Sequence, residues 1–206
     1  MIEHLPIETD LVRLDPLGPE HADELFAIAG PPGDLDLFTR RPDPWTAHGF
    51  RRFIEWQLAL PATLPFIVRS AETGTAVGSS SFLDVRPPHR ALEIGWTWFG
   101  PEHRGTRVNP ATKLAMLTRC FETDLFGHTE QFGVSLGPGP AQRVALKTDL
   151  RNERSQRAIA KLGATREGVL RSNTVMHDGY RRSTVMFSIL ADEWPDVKSK
   201  LLERIA

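Results

Sequence analysis

Three extended segments that follow one another in the middle of the chain constrain its fold most strongly. They cover residues 64–70 (LPFIVRS), 76–85 and 91–99 (ALEIGWTWF), and the turn-forming sequences ETGT and RPPHR separate them. Their lengths and their β-branched and aromatic residues are typical of strands. The sequence therefore predicts three successive strands at the centre of the chain.

Helical and extended patterns lie on both sides of these strands. We predict a strand at 11–14, a helix opened by Gly18 and Pro19, a helix capped by Thr46, a long helix after Pro110, a strand at 143–149, a helix at 152–162, strands at 165–175 and 180–190 around the turn HDGY, and a closing helix from Trp194. This order predicts one α+β domain, in which a mixed sheet carries helices on its faces.

Residues 127–141 (GHTEQFGVSLGPGPA) are the segment that fits this pattern least. They form a long connection, rich in glycine and proline, between a helix and a strand. Loops longer than about 12–15 residues in compact domains are usually functional or disordered. We therefore expect a flexible insertion that acts as a mobile flap.

The composition excludes several classes of function. Among 206 residues, 25 Lys and Arg oppose 26 Asp and Glu, so the net charge of −1 argues against bulk electrostatic binding to nucleic acid or membrane. No apolar run reaches the ~18–20 residues of a membrane span, and the N-terminal MIEHLPIETD does not have the pattern of a signal peptide. The single cysteine, Cys120, fits a cytoplasmic location and is expected to be a buried core residue. Because CxxC and HExxH patterns are missing, we predict no metal site.

The stretch GPEHRGTRVNPATKLAML, residues 100–117, places a basic turn directly before a helix. Asn109 is a good N-cap and Pro110 a good first helical residue, so we predict that the helix begins there. Arg104, Gly105 and Arg107 would add amide donors and charge near the positive end of the helix dipole. This combination suits a phosphate or pyrophosphate, although a solvated basic loop would have the same sequence.

The sequence EIGWTWFGPEHRG with the helix after it, and KTDLRNERSQRAIAKLGATREGVLR, resemble the GNAT family of acyl-CoA-dependent N-acyltransferases over about residues 8–190. The branch that it resembles most includes the ribosomal-protein N-terminal acetyltransferases (RimJ/RimL-like). The resemblance implies a mostly antiparallel sheet that is splayed between its two middle strands, with helices on both faces. It also implies acetyl-CoA as donor, held by Trp98, Phe99, Arg104, Gly105, Thr106, Arg107, Val108, Asn109, Asn152 and Ser155. Arg107 and Asn109 occupy positions where the family usually has small residues.

Glu93 is the predicted general base. An alkyl amine has a pKa near ~10.4, so a group must take its proton before it can attack a thioester near neutral pH. The resemblance implies a glutamate on this strand for that task, and strict alternation would place it opposite Ile94, Trp96 and Trp98. A structural salt bridge is the alternative role. The resemblance further implies that a backbone N–H within residues 95–99, at a bulge that Gly95 would allow, binds the oxyanion.

Ser155 and Asn152 are the candidates at the later helix. Many family members carry a tyrosine that protonates the leaving thiolate, but that position is Ile159 here. The resemblance implies that Ser155 replaces it and that Asn152 holds the pantetheine arm. The alternative is that N-E-R-S is an ordinary helix start.

These observations predict an N-acetyltransferase that acts on a primary amine by direct attack in a ternary complex. The acceptor is a protein N-terminus, a peptide or a small-molecule amine, and the resemblance allows a homodimer. Three alternatives stay open: a non-catalytic acyl-CoA-binding or regulatory module, an enzyme with a longer donor such as succinyl-CoA, and, more weakly, a nucleotide-binding protein.

Overall fold

The computed structural model describes residues 2–131 and 133–206. Within these ranges, one sheet has the strand order β1-β2-β3-β4-β5-β8-β10-β9, and a separate ribbon pairs β6 with β7. The strands are β1 Ile7–Glu8, β2 Val12–Pro16, β3 Leu64–Ser70, β4 Ala76–Arg86, β5 Ala91–Phe99, β6 Thr129–Gln131, β7 Val134–Leu136, β8 Arg143–Asp149, β9 Thr165–Val175 and β10 Arg181–Leu190. The helices are α1 Ala22–Ile28, α2 Ala47–Ala59, α3 Val108–Phe121, α4 Glu153–Lys161 and α5 Trp194–Ile205.

The sheet opens between its two middle strands. Strands β5 and β8 run parallel, whereas the neighbouring pairs β4–β5 and β8–β10 are antiparallel. The parallel pairing covers Ala91–Glu93 of β5 and Arg143–Ala145 of β8. Both strands continue beyond it, to Phe99 and to Asp149. The two strands therefore diverge after Glu93 and leave a gap, as the family resemblance implied.

Two hydrophobic clusters lie on opposite faces of the sheet. The larger one contains Leu92, Ile94 and Phe99 of β5 together with the apolar residues of α3, α4 and α5. The smaller one joins α1 and α2 to the other face through Leu25, Phe50 and Ile54, among others. Helices therefore cover both faces, and the predicted α+β class is confirmed.

Most predicted elements are present. Strand β8 has the predicted limits, Thr46 caps α2 by accepting a hydrogen bond from the Gly49 N–H at 3.2 Å, and β9 and β10 form the hairpin around HDGY. Cys120 is fully buried, as expected, and burial raises the pKa of its thiol. Strand β1 was missed, since two residues are too few to show an alternating pattern. Segment 127–141 contains the ribbon β6–β7, which the sequence did not predict.

The predicted start of α3 is wrong by two residues. The helix begins at Val108, and its first helical hydrogen bond runs from the Ala111 N–H to the Arg107 carbonyl, at 2.9 Å. Asn109 is therefore a residue of the first turn and not the N-cap. Pro110 fits the first turn equally well because the amide that it lacks would have no helical partner there.

Two further properties concern the helices and the potential metal ligands. Among residues 2–131 and 133–206, none of the helices combines the length and apolarity needed to cross a bilayer. Over the same ranges, His, Cys, Asp and Glu side chains form no group of three or more that could hold a metal ion.

Candidate active site

Glu93 lies at the point where β5 and β8 separate. It is the last residue of β5 that pairs with β8, opposite Ala145. Because neighbouring side chains of a strand alternate, Glu93 faces away from Leu92 and Ile94 and onto the α1/α2 side. Only 4% of the residue is exposed. The sheet therefore buries a carboxylate at the closed end of the gap.

The neighbours of Glu93 set its ionisation. Burial raises the pKa of the Glu93 carboxyl, because the charged form loses its hydration, and the Lys147 ammonium opposes this effect. Lys147 lies on β8, and its Nζ is 2.7 Å from Glu93 Oε2. The effect of burial is the larger of the two. The result is a carboxylate that holds a proton more readily than an exposed glutamate does.

A β-bulge follows Glu93 in the same strand. Gly95 pairs with Ser81 and Trp98 pairs with Ser79, so Trp96 and Thr97 together face Ser80. Trp96 has a φ of +46°, a left-handed conformation that is uncommon for a bulky residue. The bulge expected near Gly95 is therefore present. It lies on the part of β5 that borders the gap.

Gly95 leaves room for the Glu93 side chain. A Cβ atom at position 95 would lie 2.6 Å from Glu93 Oε1 and 2.8 Å from the Leu83 Cδ1 atom. A side chain at position 95 would therefore displace the ends of the Glu93 and Leu83 side chains, whereas glycine lets the carboxylate keep its place beside the bulge.

The bulge also corrects the predicted orientation of two tryptophans. Trp96 packs on Trp56 of α2, with 5.1 Å between ring centroids, and Trp98 packs on Phe50 at 6.1 Å. Both therefore lie on the α1/α2 side, the side of Glu93, and not opposite to it. The prediction failed because the bulge inserts one residue, after which the alternation continues with inverted phase.

The turn before α3 presents free backbone donors. Gly105 has a φ of +75°, which suits glycine, and open space surrounds the position of its absent Cβ. In the part of the chain that the structure describes, the N–H groups of Gly105, Thr106, Arg107 and Asn109 have no hydrogen-bond acceptor. The Val108 N–H has a weak one, the hydroxyl of Thr106 at 3.3 Å. These amides line the positive end of the α3 dipole.

The two arginines of this turn have protein partners. Arg104 donates from Nη2 to Asp34 Oδ2 at 2.6 Å and from Nε to the Phe99 carbonyl at 3.0 Å. Arg107 donates from Nη1 to the carbonyls of Ile205 and Ala206 at the end of α5, at 3.0 and 3.2 Å. Arg104 thus ties the turn to the loop before α2, and Arg107 reaches toward α5.

Asn152 and Ser155 begin α4. Asn152 Oδ1 accepts a hydrogen bond from the Ser155 N–H at 3.0 Å, which makes Asn152 the N-cap. Its amide N–H₂ and the Ser155 hydroxyl have no partner among the described residues. Both side chains are half-buried. Ile159, at the position that carries tyrosine in many relatives, is buried in the core.

Three charged residues near the gap have contacts that the sequence did not predict. Lys113 and Lys147 were expected to meet coenzyme phosphates or to have no role, yet Lys147 pairs with Glu93. Asp149, at the end of β8, is 1% exposed and accepts hydrogen bonds from Arg151 at 2.8 and 3.1 Å. Lys113 of α3 is 5% exposed and contacts the bulge. Side chains alternate along β8, so Lys147 and Asp149 lie on the same face of the sheet, which is also the face of Glu93. Alternation along the strand could therefore have indicated these two neighbours.

The comparisons with known proteins decide the family. The family model for the acetyltransferase (GNAT) domain matches residues 12–165, which is most of the chain. The chain belongs to the GNAT acetyltransferase family. A comparison with curated protein sequences gave no significant match.

Solved structures agree with this assignment. A protein from T. thermophilus, assigned as an acetyltransferase, is 33% identical with a TM-score of 0.84, covering 98% of this chain and 97% of its own. A second such protein is also 33% identical, with a TM-score of 0.85 and coverage of 98% and 94%. Mycobacterium smegmatis RimJ in complex with CoA-disulfide shares the fold, with a TM-score of 0.69, 20% identity and coverage of 96% and 92%.

The predictions of a GNAT fold, of an acyl-CoA-dependent acetyltransferase and of acetyl-CoA as donor are confirmed. The roles of the individual site residues stay predictions. The same holds for the single domain with a flexible insertion, the cytoplasmic location, the homodimer and the lack of nucleic-acid or membrane binding.

Proposed function

We propose that this GNAT acetyltransferase moves the acetyl group of acetyl-CoA to a primary amine by direct attack within a ternary complex. One observation carries the proposal. A buried carboxylate, Glu93, and a bulged stretch of β5 that no longer pairs with β8 follow one another at the closed end of the gap. A base and a set of backbone donors beside one opening are what amine acylation requires.

The donor would lie along the gap with its pyrophosphate at the start of α3. The free amides of Gly105, Thr106, Arg107 and Asn109 supply the donors that a diphosphate needs, and the helix dipole favours its charge. From there the pantetheine arm would follow β5 past Phe99 and Trp98. Arg104 would act by fixing the turn through Asp34, and not as a direct phosphate ligand.

The chemical step then needs one proton acceptor and one oxyanion site. The amine nitrogen attacks the thioester carbon, its proton passes to Glu93 directly or through water, and the carbonyl oxygen becomes an oxyanion. Backbone N–H groups within residues 95–99 would bind that oxyanion. Burial helps Glu93 in this role because a raised pKa makes the carboxylate a stronger base.

Collapse of the intermediate breaks the C–S bond and releases the CoA thiolate. Ser155 would donate a hydrogen bond to this sulfur from the first turn of α4, or a proton that its hydroxyl regains from water. The Asn152 side chain keeps its N–H₂ group available for a pantetheine carbonyl, because the cap uses only its oxygen. The two residues can therefore serve both as helix start and as part of the site.

The acceptor would approach from the α1/α2 side. Glu93 faces this side, and Trp96, Trp56 and the Arg40 guanidinium, 4.7 Å from the Trp56 ring centroid, form a wall there. The acceptor is proposed as a protein N-terminus, a peptide or a small-molecule amine. A homodimer of the kind common in this branch is compatible with this arrangement.

A thiol-release assay tests the proposal. The purified protein, acetyl-CoA and a panel of N-terminal peptides, polyamines and small amines should release free CoA, with the acetylated amine identified by mass spectrometry. Glu93→Gln should slow release by about 100-fold or more while acetyl-CoA still binds. Glu122→Gln is the matched control because Glu122 also pairs with a lysine, Lys198, but at the α3–α5 contact. Equal rates for Glu93→Gln and the control would contradict the base role.

The competing proposal is a non-catalytic acyl-CoA-binding or regulatory module. The observation in its favour is the 2.7 Å pair between Glu93 and Lys147, which occupies one carboxylate oxygen. Acetyl-CoA binding without acetylation of any amine in the panel would support the non-catalytic alternative. Turnover of succinyl-CoA in preference to acetyl-CoA would instead select a longer donor.

A further inference from the structure

A buried lysine joins α3 to the bulge of β5. Lys113 Nζ donates to Thr97 Oγ1 at 2.5 Å and to Ser80 Oγ at 3.3 Å, and the two hydroxyls are 2.7 Å apart. Thr97 is half of the bulge, and Ser80 is the residue of β4 that faces it. Lys113 and Ser80 are 5% and 0% exposed. Three side chains from three elements thus form one closed polar cluster beneath the bulge.

The charge of Lys113 is not balanced by a carboxylate. Within the described residues its partners are two neutral hydroxyls, and it forms no salt bridge. Glu93 is on β5, the strand that carries Thr97, but its side chain lies on the opposite face of the sheet from Lys113. Burial alone lowers the pKa of Lys113, to about 7. An ammonium group buried without a counter-ion destabilises a fold, so packing alone does not account for it.

An apolar side chain would suit this site better if only stability mattered. Without Lys113, Ser80 and Thr97 would still bond to each other, so its removal leaves no hydroxyl unpaired. The lysine is therefore dispensable for satisfying its neighbours. What it adds is a fixed link between α3 and the bulge.

Lys113 links the two parts of the proposed donor site, which are the N-terminal end of α3 and the β5 bulge. Lys113 lies in the second turn of α3, and the side chains of helical residues lean toward the N-terminus, here toward the first turn of α3, which contains Asn109. The Lys113 ammonium group, at the other end of the link, contacts Thr97. Thr97 is the neighbour of Trp96, which has a φ of +46°. The bulge and the amide-lined turn must keep one spacing if a single acyl-CoA molecule is to contact both.

We propose that Lys113 is a positioning residue of the donor site, which locks the β5 bulge to α3 through Thr97 and Ser80. This inference rests on the proposed function, since it assumes that acetyl-CoA spans the bulge and the turn. Lys113 acts through the backbone that it holds and does not itself contact the reacting atoms.

Calorimetric titration with acetyl-CoA tests the inference without requiring an acceptor. Lys113→Met keeps the length of the side chain and removes its charge and hydrogen bonds. We expect its Kd for acetyl-CoA to rise about tenfold or more, because the bulge and the turn would no longer be held at one spacing, and misplacement by about 1 Å already costs about 100-fold in reaction rate. Its Tm should equal or exceed that of the wild type. Lys200→Met, which removes an exposed lysine of α5, is the control and should change neither value.

Variants of Thr97 provide an independent measurement. Thr97→Val removes the hydroxyl at nearly constant volume and should weaken acetyl-CoA binding, whereas Thr97→Ser keeps the hydroxyl and should restore it. This rescue would not be expected of a residue that merely fills space. If Lys113→Met fails to fold, the contrast between valine and serine at position 97 decides the matter.

The outcomes separate the two proposals. If the wild type binds no acetyl-CoA, the proposed function fails and this inference fails with it. If the wild type binds but Lys113→Met and Thr97→Val bind within twofold of it, the proposed function stands and the positioning role is overturned. A loss of Tm in Lys113→Met with unchanged binding would likewise overturn it and leave a structural lysine.

Discussion

Lys147 Nζ and Glu93 Oε2 lie 2.7 Å apart at the closed end of the gap between β5 and β8. The pair joins the two middle strands of the sheet where their pairing ends. It also makes the proposed base dependent on a cation, because Lys147 lowers the pKa of Glu93 while burial raises it. The contact between Lys147 and Glu93 therefore affects both the joining of β5 to β8 and the pKa of Glu93.

Removal of Lys147 should shift the pH profile of the enzyme. Activity of a general base rises with pH as its carboxyl loses its proton, so the acidic limb of kcat/KM reports the pKa of Glu93. Lys147→Met removes the charge that lowers this pKa, so the limb should move to higher pH. Rates measured from about pH 5 to about pH 9 would test this. Lys198→Met, whose lysine pairs with Glu122, should leave the limb in place.

Lys113 should make the free energy of unfolding depend on pH. Its pKa is about 7 in the folded protein, against an ordinary value of 10.5. Between these values the unfolded chain binds the proton and the folded protein does not, so stability rises with pH across this window. Relative to Lys113→Met, the wild type should gain about 1.4 kcal/mol between about pH 6 and about pH 8. Urea unfolding of both proteins at each pH measures the difference, and parallel pH dependences would show that Lys113 is charged throughout.

The two functions assigned to Asn152 can be separated by substitution. Asn152→Ala should destabilise the protein by about 1 kcal/mol because the Ser155 N–H loses its cap. Asn152→Asp keeps a cap oxygen but lacks the N–H₂ group proposed to bind pantetheine. It should therefore retain stability and raise the KM for acetyl-CoA several-fold. An unchanged KM in Asn152→Asp would reduce Asn152 to a helix cap.

The elements set by local sequence were predictable, and α4 and β8 show why. Asn152 caps α4, and β8 begins and ends where its pattern does. Glu93 was found through a resemblance of motifs. Its burial depends on β8, whose residues follow about 50 positions later in the sequence. The motif therefore identified Glu93 as a candidate, whereas its burial results from the packing of strands that are distant in the sequence.

The features that could not be predicted from the sequence have both local and non-local causes. At Trp96 a left-handed backbone conformation inverted the alternation on which the orientation of Trp98 was based. The pairing of Arg104 with Asp34 joins residues 70 positions apart, so no sequence pattern predicts it. Lys113 was expected to meet a coenzyme phosphate or to have no role, and burial was not expected because lysine is almost never fully buried. Only the three-dimensional contact with Ser80 and Thr97 reveals its position.

The central claim is that the amides of the turn before α3 bind the pyrophosphate of acetyl-CoA. The most direct test is calorimetric titration of the wild type and of Gly105→Ala, with Gly74→Ala as the matched control. The two glycines have φ values of +75° and +70°, and both have open space around the missing Cβ. Gly105→Ala strains the binding turn, whereas Gly74→Ala strains the turn between β3 and β4 to the same degree.

We predict that Gly105→Ala weakens acetyl-CoA binding by about tenfold, a loss of about 1.4 kcal/mol, while Gly74→Ala binds as the wild type does. Binding of S-acetylpantetheine, which carries no pyrophosphate, should be equal in all three proteins. Equal acetyl-CoA affinities for Gly105→Ala and Gly74→Ala would contradict the account, because the diphosphate would then be held elsewhere or not at all.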